Sequence, residues 1–248
     1  MQASDVQEEI ARYPWYHTLE LGNGVVTPGM FDHRGTEPLH LIPESLNGQR
    51  CLDIGTMDGY WAFLMERRGA AEVVAVDLDD PDALDWPPSL RTSVTKTIDE
   101  TKGARFALAR SALDSSVVRH LSSVYALDPS QIGTFDFVFC GDLLAHLKDP
   151  ATALQRIHSV CRGSAVVCNP IREHFPYRNR PLAVFDGIDE FEWWLPNRAA
   201  LVRMLRSAGF VRVVAGDRFS LPATGGGSWK GQRCAVRGWV QPETSRQD

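Results

Sequence analysis

The sequence predicts an α/β fold built on one mostly parallel sheet with helices on both faces. Three observations predict it. Residues 50–54 and 73–77 are short apolar runs that each carry an acid near their end, and a glycine turn followed by a helix-period stretch separates them. Residues 135–140, Phe-Asp-Phe-Val-Phe-Cys, are almost unbroken in apolar character, as a strand covered on both faces requires. Strands alternate with helices up to the fifth, and the last two read as a hairpin-like pair.

Taken in order, residues 4–12 are expected to form a short helix capped by Ser4, with Gln7 at the capping-box position. Residues 13–21, a Gly22-Asn23-Gly24 turn and residues 25–29 read as a hairpin-like flap rich in aromatics. Asp32 and His33 fall in a polar loop, and residues 37–46 read as a short helix. After the 50–79 unit, Pro and Asp make residues 79–89 a loop. A helix near 103–113, a third strand over 117–124 and a fourth over 135–140 follow, then a helix over 151–162 and a strand over 165–168. Residues 169–195 read as a long irregular stretch, a length that usually carries function. Asn197 caps a helix that Gly209 closes, and strands over 211–215 and 234–240 are joined by a flexible Gly-rich segment at 223–228. No internal repeat interrupts this pattern.

Bulk properties narrow the class. A chain of 248 residues with 44% apolar content suits one α/β domain. Its formal charge of -5 argues against a general polyanion binder. The five cysteines are dispersed without a C-x-x-C pair, so buried reduced thiols are expected and no metal site. The N-terminus is acidic and lacks an apolar h-region, and no run approaches the ~18 apolar residues of a membrane span, so a cytoplasmic protein without a membrane partner is expected.

The 50–79 unit carries the chemistry. Asp77 lies about 20 residues past the glycine turn, the spacing at which a βαβ nucleotide fold offers a carboxylate to a ribose. A dinucleotide fingerprint needs a middle and a third glycine, but Met57 and Tyr60 hold those places. Asp53 and Asp58 also crowd the turn, which disfavours a phosphate and favours a cationic ligand. S-adenosyl-L-methionine has a ribose, an amino group and a sulfonium, and no phosphate.

The pattern Asp53-x-Gly55-x-x-x-Gly59 resembles motif I of class I S-adenosylmethionine-dependent methyltransferases, and residues 135–150, ending His146-Leu147-Lys148-Asp149-Pro150, resemble their strand 4 motif. The resemblance implies a Rossmann-like fold with seven strands in the order 3-2-1-4-5-7-6. It implies one domain over 1–248, with an N-terminal cap or flap over 1–46 and a core over 47–240. Pro14-Trp15-Tyr16-His17, Thr27-Pro28-Gly29 and Ser123-Val124-Tyr125 look closest to the branch of tRNA wobble-uridine carboxymethyltransferases and related small-molecule methyltransferases. Two departures separate the chain from the carboxymethyl enzymes. His17 stands where they have a Lys, and Ala145 where they have a Tyr, so a carboxylated cofactor would lose two partners.

The expected cofactor residues are Asp53 at the amino group, Gly55, Thr56, Met57 and Gly59 under the methionine end, and Asp77 at both ribose hydroxyls. Leu78, Ser123, Val124 and Tyr125 are expected at the adenine, with Cys140 at the end of strand 4. His146 is the favoured general base because an imidazole titrates near neutrality, with His17 and Asp142 next. Tyr16, His33, Arg172, Tyr177 and Trp194 are expected to bind substrate. The expected acceptor is a small molecule, such as a natural-product or sugar intermediate. The competing readings are a tRNA wobble-uridine enzyme, which makes nucleic acid the less favoured partner, and a cofactor-binding domain without transfer activity. A homodimer is compatible with all three.

Overall fold

The computed structural model describes residues 3–90, 102–174, 176–188, 191–221 and 231–241. The expected 223–228 segment lies outside these residues. Strands β1 (Trp15–His17) and β2 (Gly29–Phe31) form a small sheet near the N-terminus. Along the rest of the chain run β3 (Arg50–Ile54), β4 (Glu72–Asp77), β5 (Val118–Leu121), β6 (Phe135–Gly141), β7 (Cys161–Ile171), β8 (Ala183–Phe185), β9 (Trp194–Pro196), β10 (Arg212–Ser220) and β11 (Gln232–Trp239). Seven of them make the main sheet, in the order β10-β11-β7-β6-β3-β4-β5. Counted within that sheet from the β5 edge, this is 3-2-1-4-5-7-6, and β11 alone runs antiparallel to the other six strands. The β1-β2 and β8-β9 pairs are additions to the expected seven.

Period-two alternation divides the central strands between two buried layers. Cys51, Val73, Ala75, Phe137 and Phe139 pack with helices α1 (Ala3–Ile10), α2 (Tyr60–Arg67) and α3 (Lys102–Ala112), through residues such as Ile10, Phe63 and Phe106. Leu52, Ile54, Val74, Val76 and Val138 face the other way. A single-turn helix α4 (Pro129–Ile132) precedes β6, and on that second face α5 (Pro150–Val160) and α6 (Arg198–Ser207) contribute Leu154, Ile157, Leu201 and Leu205. The caps follow the sequence. Asp149 accepts from the Thr152 N–H at 2.9 Å with Pro150 at the first position, and Asn197 accepts from the Ala200 N–H at 2.8 Å.

Several boundaries differ from expectation. Helix α1 begins at Ala3, so Ser4 lies inside its first turn instead of capping it. The flap is not a continuous hairpin: β1 and β2 pair in parallel, and one antiparallel bridge, Glu20 to Val26, closes the Gly22-Asn23-Gly24 turn. Pro28 has no N–H with which to extend that ladder. Residues 37–46 contain only a 3-10 turn at Glu37–His40, because Leu41 turns left-handed at φ 55 and Pro43 again lacks a donor. Strand β5 stops at Leu121, since the Ser123 hydroxyl accepts from the Tyr125 N–H and starts a tight turn. Strand β7 runs to Ile171, and β8-β9 gives antiparallel structure to the stretch expected to be irregular.

Candidate active site

The turn between β3 and α2 is built from three residues with positive φ, Gly55 at 75, Met57 at 53 and Gly59 at 97. At Gly59 a Cβ would lie 2.4 Å from the Phe63 ring and 2.9 Å from Phe106, so only glycine lets the helix start this close to α3. Met57 occupies the left-handed region without that freedom, and its N–H donates to Asp77 Oδ2 at 2.7 Å. Asp77 is therefore tied to the turn from the tip of the neighbouring strand. Its Oδ1 accepts from the Leu78 N–H and from Lys102 Nζ, each at 2.7 Å. The carboxylate expected to meet both ribose hydroxyls is thus already reached by three protein donors, which hold it in place. Sequence reasoning missed Lys102, which is buried on its helix together with Arg105, Phe106 and Ala109.

A cleft opens beside this turn. Of the expected residues, Gly55, Asp77, Leu78, Ser123, Val124 and Tyr125 line it. Leu143 and Leu147 from the loop after β6, and Ala83, Leu84 and Asp85 from the loop after β4, also line it and were not foreseen. Asp85 gathers the wall: its carboxylate accepts from the Tyr125 hydroxyl at 2.6 Å and the Lys148 N–H at 2.9 Å, and its carbonyl accepts from Trp193 Nε1. Cys140 is fully buried behind β6, off the cleft lining, and burial pushes its thiol up.

Asp53 and Thr56 lie side by side under the turn, 1% and 0% exposed, and Asp53 Oδ2 and Thr56 Oγ1 make no hydrogen bond of good geometry among the described residues. Buried polar oxygens left open are costly unless a ligand completes them. A cationic amino group fits this pair. Burial pushes the Asp53 carboxyl up to about 7. Below that pH the acid is neutral and loses its attraction for a cation. Affinity for a ligand carrying an α-ammonium is thus expected to rise as pH increases through about 7, and to fall about tenfold per unit below it. Calorimetry across pH 5.5 to 8.5 checks this, and Asp53→Asn should flatten the profile.

On the other side of the turn, Asp58 is fully buried and its Oδ2 accepts the N–H groups of Tyr16 and His17, both at 2.9 Å. Its Oδ1 pairs with His17 Nδ1. The flap is pinned to the turn by this one carboxylate. Around it lies an aromatic cluster in which His33 contacts His17, His40, Tyr60 and Trp61 at ring-centroid distances of 4.9 to 5.5 Å. His33 is 5% exposed, not in a polar loop as expected, and burial holds it well below the usual imidazole range; His40 is lowered to about 4 for the same reason.

Asp142 takes φ 49 at the end of β6 and accepts from Arg233 Nε at 2.6 Å, an ion pair buried on the Arg side that sequence reasoning missed because 91 residues separate the partners. His146 follows. Its Nδ1 meets the Phe191 carbonyl at 2.8 Å, its ring packs on Trp86 at 5.3 Å, and burial lowers it. The substrate-side expectations divide. Tyr16 and His33 join the cluster, whereas Arg172 and Tyr177 are exposed and do not line the cleft. Trp194 is half-buried, donating to the Lys148 carbonyl at 3.1 Å and packing on Phe185, so its indole helps fasten the 183–196 segment. Among the described residues no three metal-ligating side chains converge, and no helix is long and apolar enough to cross a membrane.

Comparison with known proteins agrees with this geometry. The family model described as "Methyltransferase domain" matches residues 32–215. The tRNA U34 carboxymethyltransferase of Ectopseudomonas mendocina is 27% identical over 168 residues, 66% of this chain and 46% of that protein. Its counterpart from Campylobacter hominis is 30% identical over 114 residues, 46% of this chain and 33% of that protein. The chain thus spans a third to about half the length of these curated relatives. Among solved structures, the N-terminal domain of EvdMO1 with SAH bound aligns over 97% of this chain and 98% of its own, with a TM-score of 0.68 at 16% identity. The same domain studied in the presence of SAH and D-fucose gives a TM-score of 0.61 at 17% identity, over 97% and 98%. The matched sequence model, covering well over half the chain, and the sheet order together show that it belongs to the methyltransferase domain family, as a class I S-adenosylmethionine-dependent methyltransferase.

Proposed function

We propose that the chain transfers a methyl group to a hydroxylated small molecule held between the flap and the ends of β3 and β6. The observation that carries this reading is enclosure. Tyr60, Trp61, Phe31 and His33, each 6% exposed or less, gather in one packed aromatic cluster beside the cofactor turn. Such walls suit a compact ligand desolvated on several sides. Arg172, Arg178 and Arg180, the basic residues best suited to a phosphate backbone, are exposed and off the cleft lining.

S-adenosylmethionine, when bound, supplies a methyl group already activated by the sulfonium. The protein's part is positioning and exclusion of water. Asp53 and Thr56 would receive the α-amino group. Asp77, with Lys102 beside it, would face the ribose. Leu78, Val124, Leu143 and Leu147 would hold the adenine. The similarity to tRNA U34 carboxymethyltransferases supports a second reading, modification of a wobble uridine. Incubation with methyl-labelled cofactor decides between them: one arm holds total tRNA, the other a panel of hydroxylated small molecules that includes free and nucleotide-linked deoxysugars. Label is expected in the small-molecule arm, and label confined to RNA overturns the reading.

A further inference from the structure

We propose that His17, oriented by Asp58, is the general base of the transfer, and that the acceptor accordingly presents a neutral O–H or N–H. The inference rests on the small-molecule reading above. A carboxylate only accepts, so the contact of Asp58 Oδ1 with His17 Nδ1 places an imidazole proton on Nδ1 and makes Nε2 the nitrogen that can accept one. Two backbone N–H bonds to Asp58 Oδ2 fix the same carboxylate, so the ring is held in orientation as well as in tautomer. The dyad also sits at the right end of the site. Asp53, the proposed receiver of the amino group, feels the charge of His17, whereas the cleft proposed for the adenine opens on the far side of the turn.

The other candidates lack one of these features. The His146 Nδ1 meets a carbonyl, which orients the ring but provides no counter-charge for an imidazolium, and the ring packs on Trp86 beside the adenine wall. Asp142 is matched by Arg233. His33 and His40 are buried without a carboxylate partner among the described residues. In the step itself, the acceptor lone pair forms the bond to the methyl carbon and the S–C electrons return to sulfur. The acceptor proton passes to His17 Nε2, and Asp58 stabilises the imidazolium. The groups facing His17 are Asp58, Tyr16, His33 and Tyr60.

Two measurements test this. In histidine-¹⁵N-labelled protein saturated with S-adenosylhomocysteine, long-range NMR correlations should show the His17 proton on Nδ1. Asp58→Asn should move that proton to Nε2, because an amide N–H would then face Nδ1. A doubly protonated His17, or a tautomer indifferent to Asp58→Asn, overturns the proposal. On the acceptor that takes label in the panel, Asp58→Asn and His17→Gln should lower kcat about 10²- to 10⁴-fold, with KM and the affinity for S-adenosylhomocysteine changed less than about threefold. Imidazole should partly restore His17→Ala. A His17→Gln variant with full kcat also overturns it. A panel without any acceptor counts against the small-molecule reading, while the NMR result still decides the dyad.

Discussion

Asp77→Ala is expected to lower the unfolding free energy by about 3–5 kcal/mol, because it strands the buried Lys102 ammonium without a counter-charge. The side chains of this pair are 2% and 8% exposed, so water does little to replace the lost carboxylate. The N–H groups of Met57 and Leu78 lose their acceptor at the same time. Urea denaturation measures the loss. Binding and folding can be separated with Asp77→Ala combined with Lys102→Met, which removes the orphaned charge. The double variant should recover most of the stability and still bind S-adenosylhomocysteine poorly. If Asp77→Ala unfolds at the parent's urea midpoint, the pair is not a buried ion pair in solution.

Gly29→Ala is expected to dislodge the flap at a cost of about 3 kcal/mol. A Cβ at this position would lie 2.0 Å from the His17 carbonyl carbon and 2.1 Å from the Thr18 nitrogen. Those are backbone atoms of the facing strand, and β1 cannot retreat because Asp58 holds the N–H groups of Tyr16 and His17. Hydrogen exchange should show the Thr18 and Thr27 amides, bonded to the Phe31 and Leu19 carbonyls at 2.9 Å, losing protection while the amides of β3 and β6 keep theirs. Unchanged protection at Thr18 would mean the two strands do not pack this closely.

The central fold was legible because local signals there agree with tertiary ones. The runs at 50–54, 73–77 and 135–140 carry both strand composition and the two-sided burial of a parallel sheet, and motif spacing located the turn they frame. The flap was harder. Its turn, Gly22-Asn23-Gly24, was visible, but the parallel pairing of β1 with β2 depends on Asp58, some 40 residues away. The partners that redefine the site are equally remote. Lys102 reaches Asp77 across 25 residues, Trp193 reaches Asp85 across 108, and Arg233 reaches Asp142 across 91. No periodicity within one element announces such pairs. Cys140 illustrates the converse, since its place at the tip of β6 was read correctly while its side chain points into the core.

The wall around Asp85 joins segments from three parts of the chain, and two indoles, Trp86 and Trp193, sit at that join. Asp85 also lines the cleft, so release of the demethylated product is expected to change the fluorescence of these indoles, and stopped-flow mixing with S-adenosylhomocysteine reads its rate.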